Sequence, residues 1–127
     1  MAQASVYLAT QVFEIVSQHN HDLHVDETSF QIAGLAYQRF EVGEILYLDV
    51  DFYLNQVPVR VLKIEFYGHL IDQIDPGLSA LLTMEISPEA AVRRAAYSQK
   101  HLYRLELVSS VPHLNRGQMM FIPPHLL

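Results

Sequence analysis

From Ile45 to Leu54 apolar and polar side chains alternate along the chain. Leu46, Leu48, Val50, Phe52 and Leu54 fall at every second position, with Tyr47, Asp49, Asp51 and Tyr53 between them. A strand turns successive side chains to opposite faces, so this period of two predicts one dry face and one wet face. A helix would scatter the same residues around its circumference. Val57 to Phe66 follows as a second run rich in β-branched residues, and Asn55-Gln56 between the two predicts a hairpin with a two-residue connection. The dry face of this hairpin is expected to supply the core.

The rest of the chain is organised around that hairpin. Ser5 to Ser17 holds Val6, Tyr7, Val12, Phe13, Ile15 and Val16, which favour a strand, although the spacing also tolerates a short helix. His19-Asn20-His21-Asp22 reads as a polar turn. Leu23 to Ala33 alternates loosely, and Gly34 marks a bend or a bulge. Leu35 to Val42 gives another short strand, turning at Val42-Gly43-Glu44 into the hairpin. Asp75-Pro76-Gly77 is a turn, since proline presets φ and glycine reaches positive φ freely. After it Leu78, Ala80, Leu82, Met84 and Ile86 alternate with Ser79, Leu81, Thr83 and Glu85, the last clear strand.

Ser87-Pro88-Glu89-Ala90 then predicts a helix start. Ser87 can accept from an orphan amide, Pro88 suits the first helical position, and Glu89 favours the positive end of the dipole. The helix is expected to run from 88 to about 105. At about 100° per residue it sets Ala91, Ala95, Ser98, Leu102 and Leu105 on one side and Arg93, Tyr97, Lys100 and Arg104 on the other. Glu106 to Val111 reads as a further strand or an extended tail. Phe121-Ile122-Pro123-Pro124 is an apolar segment that its prolines keep out of an interior strand, and such a tail docks across its own domain or onto a partner. The fold class is therefore mainly β with one C-terminal α-helix: a single domain over 1–127, with an antiparallel β-barrel of six strands over about 5–86, the helix, and a tail over about 106–127.

A chain of 127 residues, half of them hydrophobic and 17% charged, buries a core without staples. No apolar run approaches the length that spans a bilayer, which predicts no membrane insertion. The N-terminus lacks a basic stretch followed by an unbroken apolar one, so no signal peptide is expected. With no cysteine the chain has neither disulfides nor a thiol nucleophile, which fits the cytoplasm. The net charge of −6 argues against nucleic-acid polymers as partners, because their binding depends on phosphate neutralisation. Half of the eight basic residues (Arg93, Arg94, Lys100 and Arg104) nevertheless crowd into one short window.

Few constellations carry chemistry. His19, His21 and His24, near Asp22, Asp26 and Glu27, could share a metal, but they meet no zinc spacing rule and read more simply as a His-rich polar loop. Asp49 and Asp51 stand about 7 Å apart on a strand face and read as solvated. Neither a Ser-His-Asp order nor a Gly-rich phosphate loop nor a nucleophile elbow occurs, so nothing points to an enzyme. The basic stripe is the stronger candidate. Its cations, with Tyr97 between them, could hold a phosphate or an acidic protein surface.

The order of parts resembles a PilZ domain, the bacterial cyclic di-GMP receptor module. Ser29-Phe30-Gln31-Ile32-Ala33-Gly34-Leu35 stands where that family carries Asp/Asn-x-Ser-x-x-Gly and an apolar residue, and Val42-Gly43-Glu44 stands at its next turn. Met84-Glu85-Ile86-Ser87-Pro88-Glu89-Ala90 is similar to the family's last strand running into its helix. The likeness covers about three quarters of the chain and implies a six-stranded barrel closed by the helix. Of the signature only Gly34 is retained, and no basic residue precedes Arg39, so the family's Arg-x-x-x-Arg is absent. The resemblance thus implies a regulatory module that acts through protein contacts; the surface features that would meet a partner are the helix stripe of Arg93, Tyr97, Lys100 and Arg104 and the apolar tail from Met119 to Ile122. The alternative it leaves open is a cyclic di-GMP receptor controlling motility, pili or biofilm, with Ser29, Gln31, Gly34, Lys100 and Arg104 around the ligand. A homo-oligomer fits either reading. Lys100-His101-Leu102-Tyr103-Arg104 can also be read as a conservative Arg-x-x-x-Arg opening a strand. On that second reading the chain resembles the N-terminal domain of flagellar-brake proteins.

Overall fold

The computed structural model of the chain describes residues 6–19, 28–48, 57–87 and 100–121, and among these the regular structure is ten antiparallel strands. They are β1 (Val6–His19), β2 (Ser29–Ala36), β3 (Phe40–Glu41), β4 (Ile45–Leu48), β5 (Val57–Phe66), β6 (His69–Ile71), β7 (Gln73–Ile74), β8 (Ser79–Ile86), β9 (His101–Val108) and β10 (Gln118–Phe121). Six of them pair in a closed circuit: β1 with β2, then β8, β5, β4, β9 and back to β1. Such closure leaves few unpaired backbone groups for another chain to add to. β6 extends the circuit beside β5, β10 lies beside β1, and β3 pairs with β7 in a separate two-stranded sheet.

The core fills the inside of this ring, and the alternation in the sequence explains why. Phe30, Ile32 and Ala36 of β2, Leu46 and Leu48 of β4, Val57, Val59, Val61 and Ile64 of β5, and Leu82, Met84 and Ile86 of β8 are all buried in one cluster. Phe13 meets Phe40 edge-on there, with ring centroids 5.9 Å apart. A smaller cluster on the outer side joins Ala9, Tyr103 and Phe121, with Tyr7, Tyr47, Leu105 and Met119 against it.

Two bulges let β1 serve both clusters. Its pairing with β9 shifts between Gln11 and Phe13, and its pairing with β2 shifts between Ile15 and Ser17. An extra residue in one strand bends it and re-aims the side chains that follow. Thus Val12 and Phe13, adjacent in sequence, are both fully buried in the ring core, whereas Ala9 belongs to the outer cluster.

Several sequence expectations are corrected here. Leu48 pairs with Val57 and Leu46 with Val59, so Val57 does not follow a turn at Asn55-Gln56 to face Leu54, and the connection itself lies outside the described residues. Leu46 and Leu48 are buried as expected, while Val50, Phe52 and Leu54 lie outside the described residues. The expected helix meets the described structure only near its end, and there the chain is strand. His101 to Leu105 belong to β9, which forms because β1 and β4 offer open edges on either side of it. Backbone pairing with both outweighs the helical preference of Leu, Arg and Glu. Residues 88–99 lie outside the described residues. The C-terminal tail is partly sheet, since β10 pairs with β1 and buries Phe121 in the outer cluster. Finally, the irregularity expected at Gly34 sits opposite it, in β1.

Candidate functional site

The structure disperses the residues that the sequence singles out. Ser29 and Gln31 alternate with the buried Phe30 and Ile32, so they occupy the outer side of β2. Gln31 Nε2 donates to Thr83 Oγ1 on β8 at 3.5 Å. Gly34 is buried in the same strand. Lys100 is exposed just before β9, where its carbonyl oxygen accepts from the Ile15 amide at 2.7 Å. Arg93, Tyr97, His21, His24, Asp49 and Asp51 lie outside the described residues. No group of three or more potential metal ligands occurs among the described residues.

Arg104 does not belong to a helical stripe. It projects from β9, and its Nε donates to Glu44 Oε1 at 2.6 Å while a terminal nitrogen donates to the Arg39 carbonyl oxygen, also at 2.6 Å. The two charged side chains are 26% and 23% exposed, so this pair is partly shielded from water. Its role is to tie β9 to the turn before β4. Arg104→Ala is therefore expected to cost about 2 kcal/mol in urea denaturation, the scale of hydrogen bonds to a charged group. An unchanged midpoint would mean that the pair is fully solvated.

Two of the concave surfaces formed by the described residues bear on function. The first is an apolar groove of about 520 Å³ on the outer side of the ring, lined by Val16, Ala33, Leu35, Leu81 and Tyr67 among others. The alternation of β2 and β8 turns Ala33, Leu35 and Leu81 outward where polar residues would serve a solvated face. Val16 is the extra residue of the second β1 bulge and is 75% exposed. Tyr67 and Gly68 form the two-residue turn between β5 and β6, both at positive φ, 49° and 78°. That geometry favours Asn-Gly. Tyrosine there holds its ring 87% exposed, edge-on to Phe66 with centroids 4.5 Å apart.

The second is a polar cleft of about 630 Å³ lined by Thr10, Gln11, Tyr37, Gln38, Asn115, Arg116, Gly117 and Gln118. It arises from strand pairing. β10 and β2 both lie on the edge of β1 opposite β9, β10 along Tyr7 to Thr10 and β2 from Phe13 onward. The gap between them is the cleft. Its backbone is held by Gln11 N–H donating to Gly117 at 2.9 Å and Tyr37 N–H donating to Val12 at 2.8 Å. The Tyr37 hydroxyl donates to Glu14 Oε2 at 2.6 Å, and this bond, with lost hydration and the nearby carboxylate charge, raises its pKa above the ordinary 10.0. The Arg116 charge opposes the rise.

These features define a mostly β chain whose described strands include a closed ring of six, with an apolar groove and a polar cleft among the concavities of the described surface. No protein-family model, curated protein or solved structure matches the chain. No helix among the described residues is long and apolar enough to cross a membrane.

Proposed function

We propose that the chain is a bacterial PilZ-like regulatory module that acts through protein contacts, with the apolar groove beneath Tyr67 as its contact surface. The observation that carries this reading is the groove itself. Ala33, Leu35 and Leu81 turn outward from the ring, and Val16 and Tyr67 rim them with exposed apolar area. Contiguous apolar surface of this kind marks interaction sites, and tyrosine is among the residues that anchor them. The ring of six antiparallel strands supports the PilZ-like part of the reading. The lining of the groove suggests the partner's chemistry: an apolar side chain seated between Val16 and Tyr67, with a basic residue beside Glu65. Holding cyclic di-GMP through Arg104 would require breaking its bonds to Glu44 and Arg39, so the contact reading is preferred.

Tyr67→Asn separates fold from function. Asparagine suits the left-handed first position of this turn, so thermal stability is expected to hold or rise by a few tenths of a kcal/mol. A photo-cross-linking phenylalanine analogue at position 67 should give one saturable adduct with a different protein in a bacterial lysate. The same analogue at Val111, exposed but far from the groove in sequence, should give none. Equal adducts from both positions would refute the groove as the contact surface. Adducts only between copies of this chain would make it a self-association face instead. Calorimetry with cyclic di-GMP should show no micromolar binding, and such binding would end the contact reading in favour of a receptor.

A further inference from the structure

The polar cleft between β10 and β2 has a lining unlike the rest of the protein. The chain carries a net charge of −6, yet no carboxylate is among the residues lining this cleft. Its one cation, Arg116, forms no ion pair with any described residue, whereas Arg39 and Arg104 are paired to Asp75 and Glu44. Around Arg116 stand the amide side chains of Gln11, Gln38, Asn115 and Gln118. An amide group offers donors and an acceptor together, which matches hydroxyl groups that also do both. Small-molecule pockets are mostly lined by hydrophobic and aromatic side chains with a few placed polar groups. This one is lined mainly by polar side chains, which suits a ligand rich in hydroxyls and charge, and it keeps a volume of about 630 Å³, within the range for a small molecule.

The walls are also held in place. Gln118 Oε1 accepts from the Asn115 amide at 2.8 Å, which fixes the turn carrying Arg116 and leaves the Gln118 NH₂ free to donate. Gly117, at φ +83°, completes that turn, and its carbonyl is tied to Gln11. On the opposite wall Tyr37 is fixed by its backbone bond to Val12 and its hydroxyl bond to Glu14. Glu14 is thereby occupied and is not among the lining residues. The ring of Tyr37 offers a flat, half-exposed surface for the C–H face of a sugar.

We propose that this cleft binds a small hydroxylated anion of the sugar phosphate class: Arg116 takes the phosphate, and the amides of Gln11, Gln38 and Gln118 take the hydroxyls. The guanidinium suits phosphate because its N–H groups match two oxygens at once. The site is separate from the apolar groove, so it stands or falls independently of the contact reading.

The test is calorimetry on the full chain with a panel of hexose and pentose phosphates, with the parent sugars and inorganic phosphate as separate arms. At least one sugar phosphate is expected to bind at least tenfold more tightly than its parent sugar and than inorganic phosphate. Arg116→Gln should weaken that binding tenfold or more, and Gln38→Leu should weaken it as well, both with unchanged thermal melting, because the two residues are exposed. Binding of no member of the panel overturns the proposal. Inorganic phosphate binding as tightly as the sugar phosphates reduces the cleft to a bare anion hole and overturns it too. Binding that survives both substitutions places the ligand elsewhere, with the same consequence.

Discussion

Gly34→Val is expected to unfold the domain or drive it into aggregates, although valine is among the best strand formers and Gly34 lies within a strand. Strand propensity alone would predict a gain. The structure predicts the reverse, because β1 crosses Gly34 at very close range. A Cβ at this position would stand 1.9 Å from the Glu14 carbonyl oxygen, 2.7 Å from Phe13 Cε1 and 2.9 Å from the Glu14 carbonyl carbon. Two of these atoms are backbone, so no rotamer change relieves the overlap. β1 is itself held on both edges, by β2 and by β9, and cannot withdraw without opening the ring. Overpacking of cores costs about 1–3 kcal/mol and occasionally more, and a clash with paired backbone belongs at the upper end. A loss of at least about 3 kcal/mol in urea denaturation is the expected result, with Gly34→Ala already severe. Stability within about 0.5 kcal/mol of the parent would show that β1 does not cross there.

Leu48→Asp should be as damaging, by a different mechanism. Leu48 is 1% exposed and faces the ring interior, so an aspartate there must be buried either as a charge or as a protonated acid. An unpaired buried charge is costly enough that the group neutralises instead, and the remaining polar penalty adds to the lost leucine contacts. Its location aggravates the effect. Leu48 pairs with Leu102 where β4 meets β9, beside the pair Tyr47–Tyr103, so the substitution falls on the junction that links β4 to β9 in the ring. Large-to-small core changes alone cost about 2–5 kcal/mol, comparable with the whole stability of a marginal domain. Ile45→Asp provides the internal control. It lies on the same strand, 45% exposed, and should shift stability by no more than about 0.5 kcal/mol. If Ile45→Asp is the damaging variant and Leu48→Asp the mild one, the strand faces the other way, since a shift of one residue inverts every side chain.

The two substitutions also separate features that follow from local rules along the chain from those that arise only when distant strands pair. Leu46 and Leu48, the alternation through β8, and the turn at Asp75-Pro76-Gly77 were legible, because each rests on a local rule. Side chains alternate on any strand, and Gly77 sits at φ +90° as that turn requires. The mostly β class follows from them. What no local window contains is the partner of each strand. Residues 101–105 carry helix-compatible side chains, yet they form β9 because Val6 to Glu14, some ninety residues earlier in the chain by their positions, presents an edge for them. The hairpin register was missed for the same reason. Pairing of Leu48 with Val57 is set jointly with β9 and β8 around the ring and not by the residues of the turn alone. Both concave surfaces are products of this non-local pairing. The apolar groove needs the Val16 bulge beside outward Ala33, Leu35 and Leu81, and the polar cleft exists only because β10 and β2 leave Gln11 and Val12 between them on one edge of β1. Arg116 and Tyr37 lie too far apart in the chain for any periodicity to join them. Backbone hydrogen bonding between distant segments brings them together, and it is indifferent to which side chains it gathers.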